Sequence, residues 1–221
     1  MTEAERVIRV LLVDDHDLIR TGNALVLSAS DDIEVVGEAA SGEIALLQAA
    51  RLEPDVVLMD VRMPGIGGIE ATRRITVANR RTKVIVLTTF NLDAYAYGSL
   101  DAGASAFLLK SVQADELTDA IRTVVADDAV LDPASTRRLI EAHTGAAEGG
   151  AVHPRSLLSP REYDVFVGVA NGLSNTEISE RLFLAVPTIK THINRILSKL
   201  GARDRVHLVI RAYRHGIVAP S

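Results

Sequence analysis

Five short apolar runs punctuate the first half of the chain: IRVLLV (8–13), IEVVGEA (33–39), DVVLM (55–59), KVIVLT (83–88) and SAFLL (105–109). Each is nearly continuous in apolar, largely β-forming residues, as expected for parallel strands covered on both faces. Between them apolar positions recur at helical spacing. Residues 17–29 place Leu18, Leu25 and Val26 on one stripe, and residues 42–52 do the same with Ile44, Leu47 and Ala50. The segments 67–79, 93–102 and 113–126 complete the alternation. Five βα units predict a doubly wound α/β domain with a five-stranded parallel sheet, over residues 6–126.

The pattern then changes. Asp132-Pro133 starts a short helix with Leu139-Ile140 as its apolar patch, and TGAAEGGAVHP (144–154) has little to bury, so residues 127–156 are expected to be a linker. From 157 to 221 the period is helical only. Ser159 to Glu162 and Ser174 to Glu177 are capping boxes, the first with Pro160 at the first helical position. The first helix carries Val165, Phe166 and Val169 inward, and the second carries Ile178 and Leu182. A third, from about Val186 to Leu200, buries Ile189, Ile193, Ile196, Leu197 and Leu200 and turns Lys190, Thr191, Asn194, Arg195 and Lys199 outward. A fourth spans about Asp204–His215. Short helix, tight turn and basic third helix make a helix-turn-helix pattern in a small all-α domain. An ordinary four-helix bundle with a solvated face shares it.

Charge sharpens this division. The 221 residues carry a net −5. Residues 1–155 hold 15 basic and 24 acidic side chains, whereas residues 156–221 hold 9 and 5, an acidic module joined to one that can meet a polyanion. There is no cysteine, hence no disulfide and no thiolate metal site. No apolar stretch approaches the ~20 residues of a membrane span. MTEAERVIRV lacks the features of a secretory signal, so a cytoplasmic protein with no membrane partner is expected.

In doubly wound folds, ligands sit beyond the carboxyl ends of the strands. Polar residues gather there: Asp14-Asp15 after the first run, Asp60 after the third, Thr88 ending the fourth and Lys110 after the fifth. Three carboxylates brought close repel one another unless a hard divalent cation such as Mg2+ is present. Lys110 and Thr88 suit a phosphoryl group. Met63-Pro64-Gly65 turns the chain away and leaves Asp60 open.

LLVDDH, VVLMDVRMPG, VIVLTT and AGASAFLLK together resemble the receiver domain of two-component response regulators, a flavodoxin-like fold, over residues 7–126. The resemblance implies that Asp60 accepts phosphate from a sensor histidine kinase. It implies Mg2+ held by Asp15, Asp60 and the Arg62 backbone carbonyl, with Asp14 supporting through water. Thr88 and Lys110 would contact the phosphoryl oxygens, and Phe107 would reorient with them. Ala106 stands where glycine is usual, and Ser111 where Asp or Pro is common; neither removes a reacting group.

LSPREYDVF, NGLSNTEISERLF, TIKTHINRILSKLGARDR and HGIV resemble the DNA-binding domain of the LuxR/FixJ/NarL class over residues 157–218. That implies base contacts from Lys190, Thr191 and Asn194, and phosphate contacts from Thr176, Thr188, Arg195 and Lys199. It also implies the last helix as a dimer contact; since two joined modules gain through effective concentration, a homodimer on activation and inverted-repeat sites on double-stranded DNA are expected. Ala185 replaces the usual serine cap of the third helix, followed by Val186-Pro187 where polar residues are common. Two rivals are weighed against this regulator. A phosphatase of the haloacid dehalogenase class needs an acid two residues after its nucleophile, and Arg62 stands there. A receiver answering to a ligand instead of phosphate would not need the phosphorylation residues present here.

Overall fold

The computed structural model describes residues 7–88, 98–99, 102–126 and 153–218. The chain divides into two compact units, residues 1–126 and 127–221. The expected helix at 93–102 lies outside the described residues except for Gly98, Ser99 and Ala102, and so do the expected helix near 132–140 and residues 144–152 of the glycine-rich stretch.

The first unit has strands β1 (Ile8–Val13), β2 (Ile33–Ala39), β3 (Val56–Asp60), β4 (Lys83–Thr88) and β5 (Ala106–Leu109). All pair in parallel, in the order β2-β1-β3-β4-β5. Helices α1 (Asp17–Leu27), α2 (Gly42–Leu52), α3 (Gly67–Ala78) and α4 (Ala114–Val125) accompany them. Val56 to Asp60 are all buried, which is why β3 needs no polar alternation. Strand order reverses between β1 and β3, and a doubly wound sheet opens its crevice at that point.

The helix faces correct the stripes expected from the sequence. Leu18 and Leu25 are 86% and 74% exposed, and Leu47 is 74% exposed, with Ile44 and Ala50 also outward. Instead α2 buries Gly42, Ala45 and Ala49, and α1 buries Leu27. On α2 small side chains let the helix approach its neighbours closely, so size rather than hydrophobicity selected its inner face. Gly42 shows the constraint, since a Cβ there would lie 2.7 Å from Ile66 Cγ1.

The second unit contains a short helix α5 (Pro154–Leu157), then α6 (Pro160–Ala170), α7 (Asn175–Leu182), α8 (Val186–Leu200) and α9 (Arg205–Arg214). Both capping boxes are formed, at Ser159/Glu162 and Ser174/Glu177. Phe166, Val165, Val169, Ile178, Ile189, Ile193, Ile196, Leu200 and Leu208 pack into one core. Arg205 is buried; it donates to Asn175 Oδ1 at 2.8 Å and to the Leu173 carbonyl, tying α9 to the start of α7.

Candidate functional site

Strand register assembles the first site. Val13 pairs with Met59, so Asp14 and Asp60 follow side by side at the β1/β3 crevice. Thr88 pairs with Leu109, and the Lys110 backbone N–H donates to the Thr88 carbonyl at 2.7 Å. The ammonium of Lys110 thereby reaches Asp14 Oδ2 at 2.5 Å and Asp60 Oδ2 at 3.1 Å. Asp14, Asp60 and Lys110 are nearly enclosed, and Asp15 and His16 border them. Thr88 is buried at the end of β4, and Phe107 is buried on β5, where its Cα pairs with that of Val86.

Electrostatics mark Asp60 as constrained. Burial raises its pKa, with the Asp14 charge adding to the effect; Lys110 and the Arg62 backbone N–H (3.4 Å from Oδ1) oppose it. Two carboxylate oxygens nearby, Asp14 Oδ2 and Asp15 Oδ1, are buried and receive no directed hydrogen bond, although Lys110 and His16 lie close to them. Asp14, Asp15, His16 and Asp60 can each offer one ligand atom within 4.8 Å of the others. Hard oxygen donors, crowded and under-compensated, fit a divalent cation of the Mg2+ type.

The surroundings hold Asp60 in place through residues that motif reading passed over. Gly68 begins α3 against the Asp60 backbone: its N–H donates to the Val61 carbonyl at 3.0 Å, and a Cβ there would fall 1.8 Å from the Asp60 carbonyl oxygen. Glu43, on α2, accepts from the Ile66 N–H at 3.0 Å and sits over Gly65, whose φ of +80° suits glycine. The only sequence signal for Gly68 was the Gly67-Gly68 pair.

A second surface lies on α8. Thr188, Lys190, Thr191, Asn194 and Arg195 are exposed, opposite the buried Ile189, Ile193, Ile196 and Leu200, and Thr176 is exposed in the first turn of α7. The Thr191 hydroxyl donates to the Pro187 carbonyl at 3.0 Å, which leaves it an acceptor. Ala185 makes no side-chain cap, as its identity requires, and Pro187 occupies the first turn.

Lys199 is exposed as well and also makes an ion pair. Its ammonium lies 2.6 Å from Glu162 Oε2, a buried carboxylate that also accepts the Ser159 backbone N–H at 2.8 Å. Those donors, Lys199 first, pull the Glu162 pKa down to about 2. Lys199 thus has an ion-pair partner within its own unit, besides the DNA phosphate contact that the family resemblance implied.

Residues 10–122 match the response regulator receiver domain family, and residues 156–212 match the bacterial regulatory proteins of the luxR family. The transcriptional regulatory protein LiaR of Bacillus subtilis is 41% identical over 212 residues, 96% of this chain and 100% of that protein. The response regulator protein VraR of Staphylococcus aureus is 38% identical over 211 residues, 96% of this chain and 99% of that protein. Among solved structures, the response regulator ChrA of a heme-sensing two-component system aligns at TM-score 0.53 with 32% identity, covering 96% of this chain and 99% of ChrA. The response regulator RcsB in complex with DNA aligns at TM-score 0.55 with 25% identity, covering 95% and 99% of the two chains.

Proposed function

Because the chain belongs to the response regulators that join a receiver domain to a LuxR-type domain, and regulates transcription within a two-component system, we propose that Asp60 is its phosphoacceptor and the exposed face of α8 its DNA reader. The convergence of Asp14, Asp15, Asp60 and Lys110 on one crevice carries the first assignment. In the transfer, a carboxylate oxygen of Asp60 attacks the phosphorus of a kinase phosphohistidine. The P–N bond breaks and the imidazole leaves. Lys110, already 3.1 Å from Asp60, meets the negative charge of the transferred group, and the hydroxyl of Thr88 donates to it. Asp15, Asp60 and the Arg62 carbonyl, with Asp14 behind them, would hold Mg2+, which would supply the positive charge that lets an anion approach a carboxylate.

Phosphorylation adds about −1.5 to −2 of charge beside Lys110 and Thr88. Thr88 moving toward it vacates space for Phe107, and the surface built on β4 and β5 changes with them. That change favours a homodimer, which binds inverted-repeat DNA more tightly through effective concentration. Lys190, Thr191 and Asn194 of α8 read base edges, and Thr188 and Arg195 of α8 contact phosphates together with Thr176 of α7. Among the described residues no helix is long and apolar enough to cross a membrane; the proposed location is the cytoplasm, beside a sensor histidine kinase and DNA.

Incubation with acetyl phosphate and Mg2+, followed by mass spectrometry, tests the acceptor. Wild type should gain one phosphoryl group on Asp60, and Asp60→Asn none. Incorporation into Asp60→Asn at the wild-type level would overturn the assignment.

A further inference from the structure

The imidazole of His16 stands at the edge of the acidic crevice, and the mechanism above gives it nothing to do. Its place is set twice. The residue is the N-cap of α1, and its backbone N–H donates to Asp14 Oδ1 at 2.9 Å. Its Nδ1 then lies 2.9 Å from Asp15 Oδ1 and 3.5 Å from Asp14 Oδ1. One ligand atom from each of Asp14, Asp15, His16 and Asp60 falls within 4.8 Å of the rest.

We propose that His16 is a nitrogen ligand of this site and sets its choice among divalent ions, favouring zinc-like transition ions relative to Mg2+. The inference rests on the reading of the acidic crevice as a divalent cation site. For an ion with bonds of about 2.1 Å, neighbouring ligands stand about 3 Å apart and opposite ones about 4.2 Å apart. The spacings of Nδ1 from the carboxylate oxygens are of that order. The alternative is an imidazolium paired with Asp15. With the ring 66% exposed, such a pair is screened and contributes little to the fold.

The chemistry of the donor separates the ions. Mg2+ takes oxygen ligands and keeps its waters, so an imidazole adds nothing to its binding. Zinc accepts imidazole readily, and nitrogen and oxygen sites bind it more tightly than Mn2+, though less tightly than Cu2+. A site of carboxylates alone discriminates weakly; one nitrogen donor at its rim tilts it. His16 therefore acts on selectivity, with its effect confined to ions that accept nitrogen.

The test uses full-length protein with Mn2+ as the probe, followed by electron paramagnetic resonance of the free ion. Zn2+ and Mg2+ are each titrated to displace bound Mn2+, so that only the site holding Mn2+ is read. The His16→Asn variant keeps a good N-cap for α1, and His16→Ala serves as a second variant; circular dichroism checks the fold of both. In both, the ratio of the Zn2+ midpoint to the Mg2+ midpoint should rise at least about tenfold, the scale on which metal-site partners act. An unchanged ratio in both variants overturns the role of His16 and leaves the cation site standing. Failure of wild type to bind Mn2+, or binding that survives the Asp15→Asn/Asp60→Asn double variant, overturns the cation site itself and the inference with it.

Discussion

Lys199 and Glu162 join the last turn of α8 to the first turn of α6, Nζ to Oε2 at 2.6 Å, with the carboxylate buried. Removing the lysine leaves that carboxylate without its nearest cation. Lys199→Ala should therefore lower the stability of the second unit by about 1.5–3 kcal/mol, the range for a hydrogen bond to a charged group. Its effect on DNA binding should differ in kind from that of Arg195→Ala. Losing a phosphate contact at Arg195 should reduce the salt dependence of binding by about one unit of slope. Lys199→Ala should leave that slope unchanged. Denaturant titration and DNA titrations across a salt series check both halves.

The same pair makes stability depend on pH. Glu162 has its pKa lowered to about 2 from an ordinary 4.5, so the folded state favours the ionised form. The stabilisation is complete above the unfolded value of 4.5 and is lost as pH falls from there toward 2. The difference in stability between wild type and Glu162→Gln should be full at pH 6 and shrink steadily below pH 4.5. Chemical denaturation at pH 6, 4 and 3 measures it. A difference that stays constant over that range would contradict the ion pair.

Gly68 supports the acceptor from below. A Cβ at that position would lie 1.8 Å from the Asp60 carbonyl oxygen, so the start of α3 or the end of β3 must move. Gly68→Ala should cost about 1–3 kcal/mol as overpacking. It should also slow phosphate incorporation at Asp60 more than Gly22→Ala, since Gly22 has open space around its Cβ. Thermal unfolding and phosphodonor kinetics on both variants decide the matter.

Ala185 offers a gain. It is the N-cap of α8 in an extended conformation (φ −72°, ψ 144°) with no side-chain acceptor for the first-turn N–H groups. Ala185→Ser supplies one and should stabilise the second unit by about 1 kcal/mol. A rise in its unfolding midpoint checks this; no rise would show that those groups are satisfied in another way.

Much of this protein was legible along the chain. A strand buried on both faces shows as a continuous apolar run, and a capping box shows as Ser with Glu three residues on. Both depend on residues close in sequence, and both were found where expected, at β3 and at Ser159 and Ser174. The meeting of Asp14, Asp60 and Lys110 followed from topology, since parallel strands bring their carboxyl ends to one edge of the sheet.

Other features depended on contacts between distant segments. Leu47 met the helical period yet faces outward, because the inner face of α2 was chosen by the close approach of its neighbours, which only small residues permit. Lys199 had the look of a free surface cation until its stem brought it to Glu162, 37 residues earlier. Gly68 meets Asp60 only when α3 closes over the end of β3. The periodicity of a sequence specifies which elements form and which polar groups end them. Which side chains press together is settled by packing at van der Waals distance and by the pairing of buried charge, and both arise only once the elements have met.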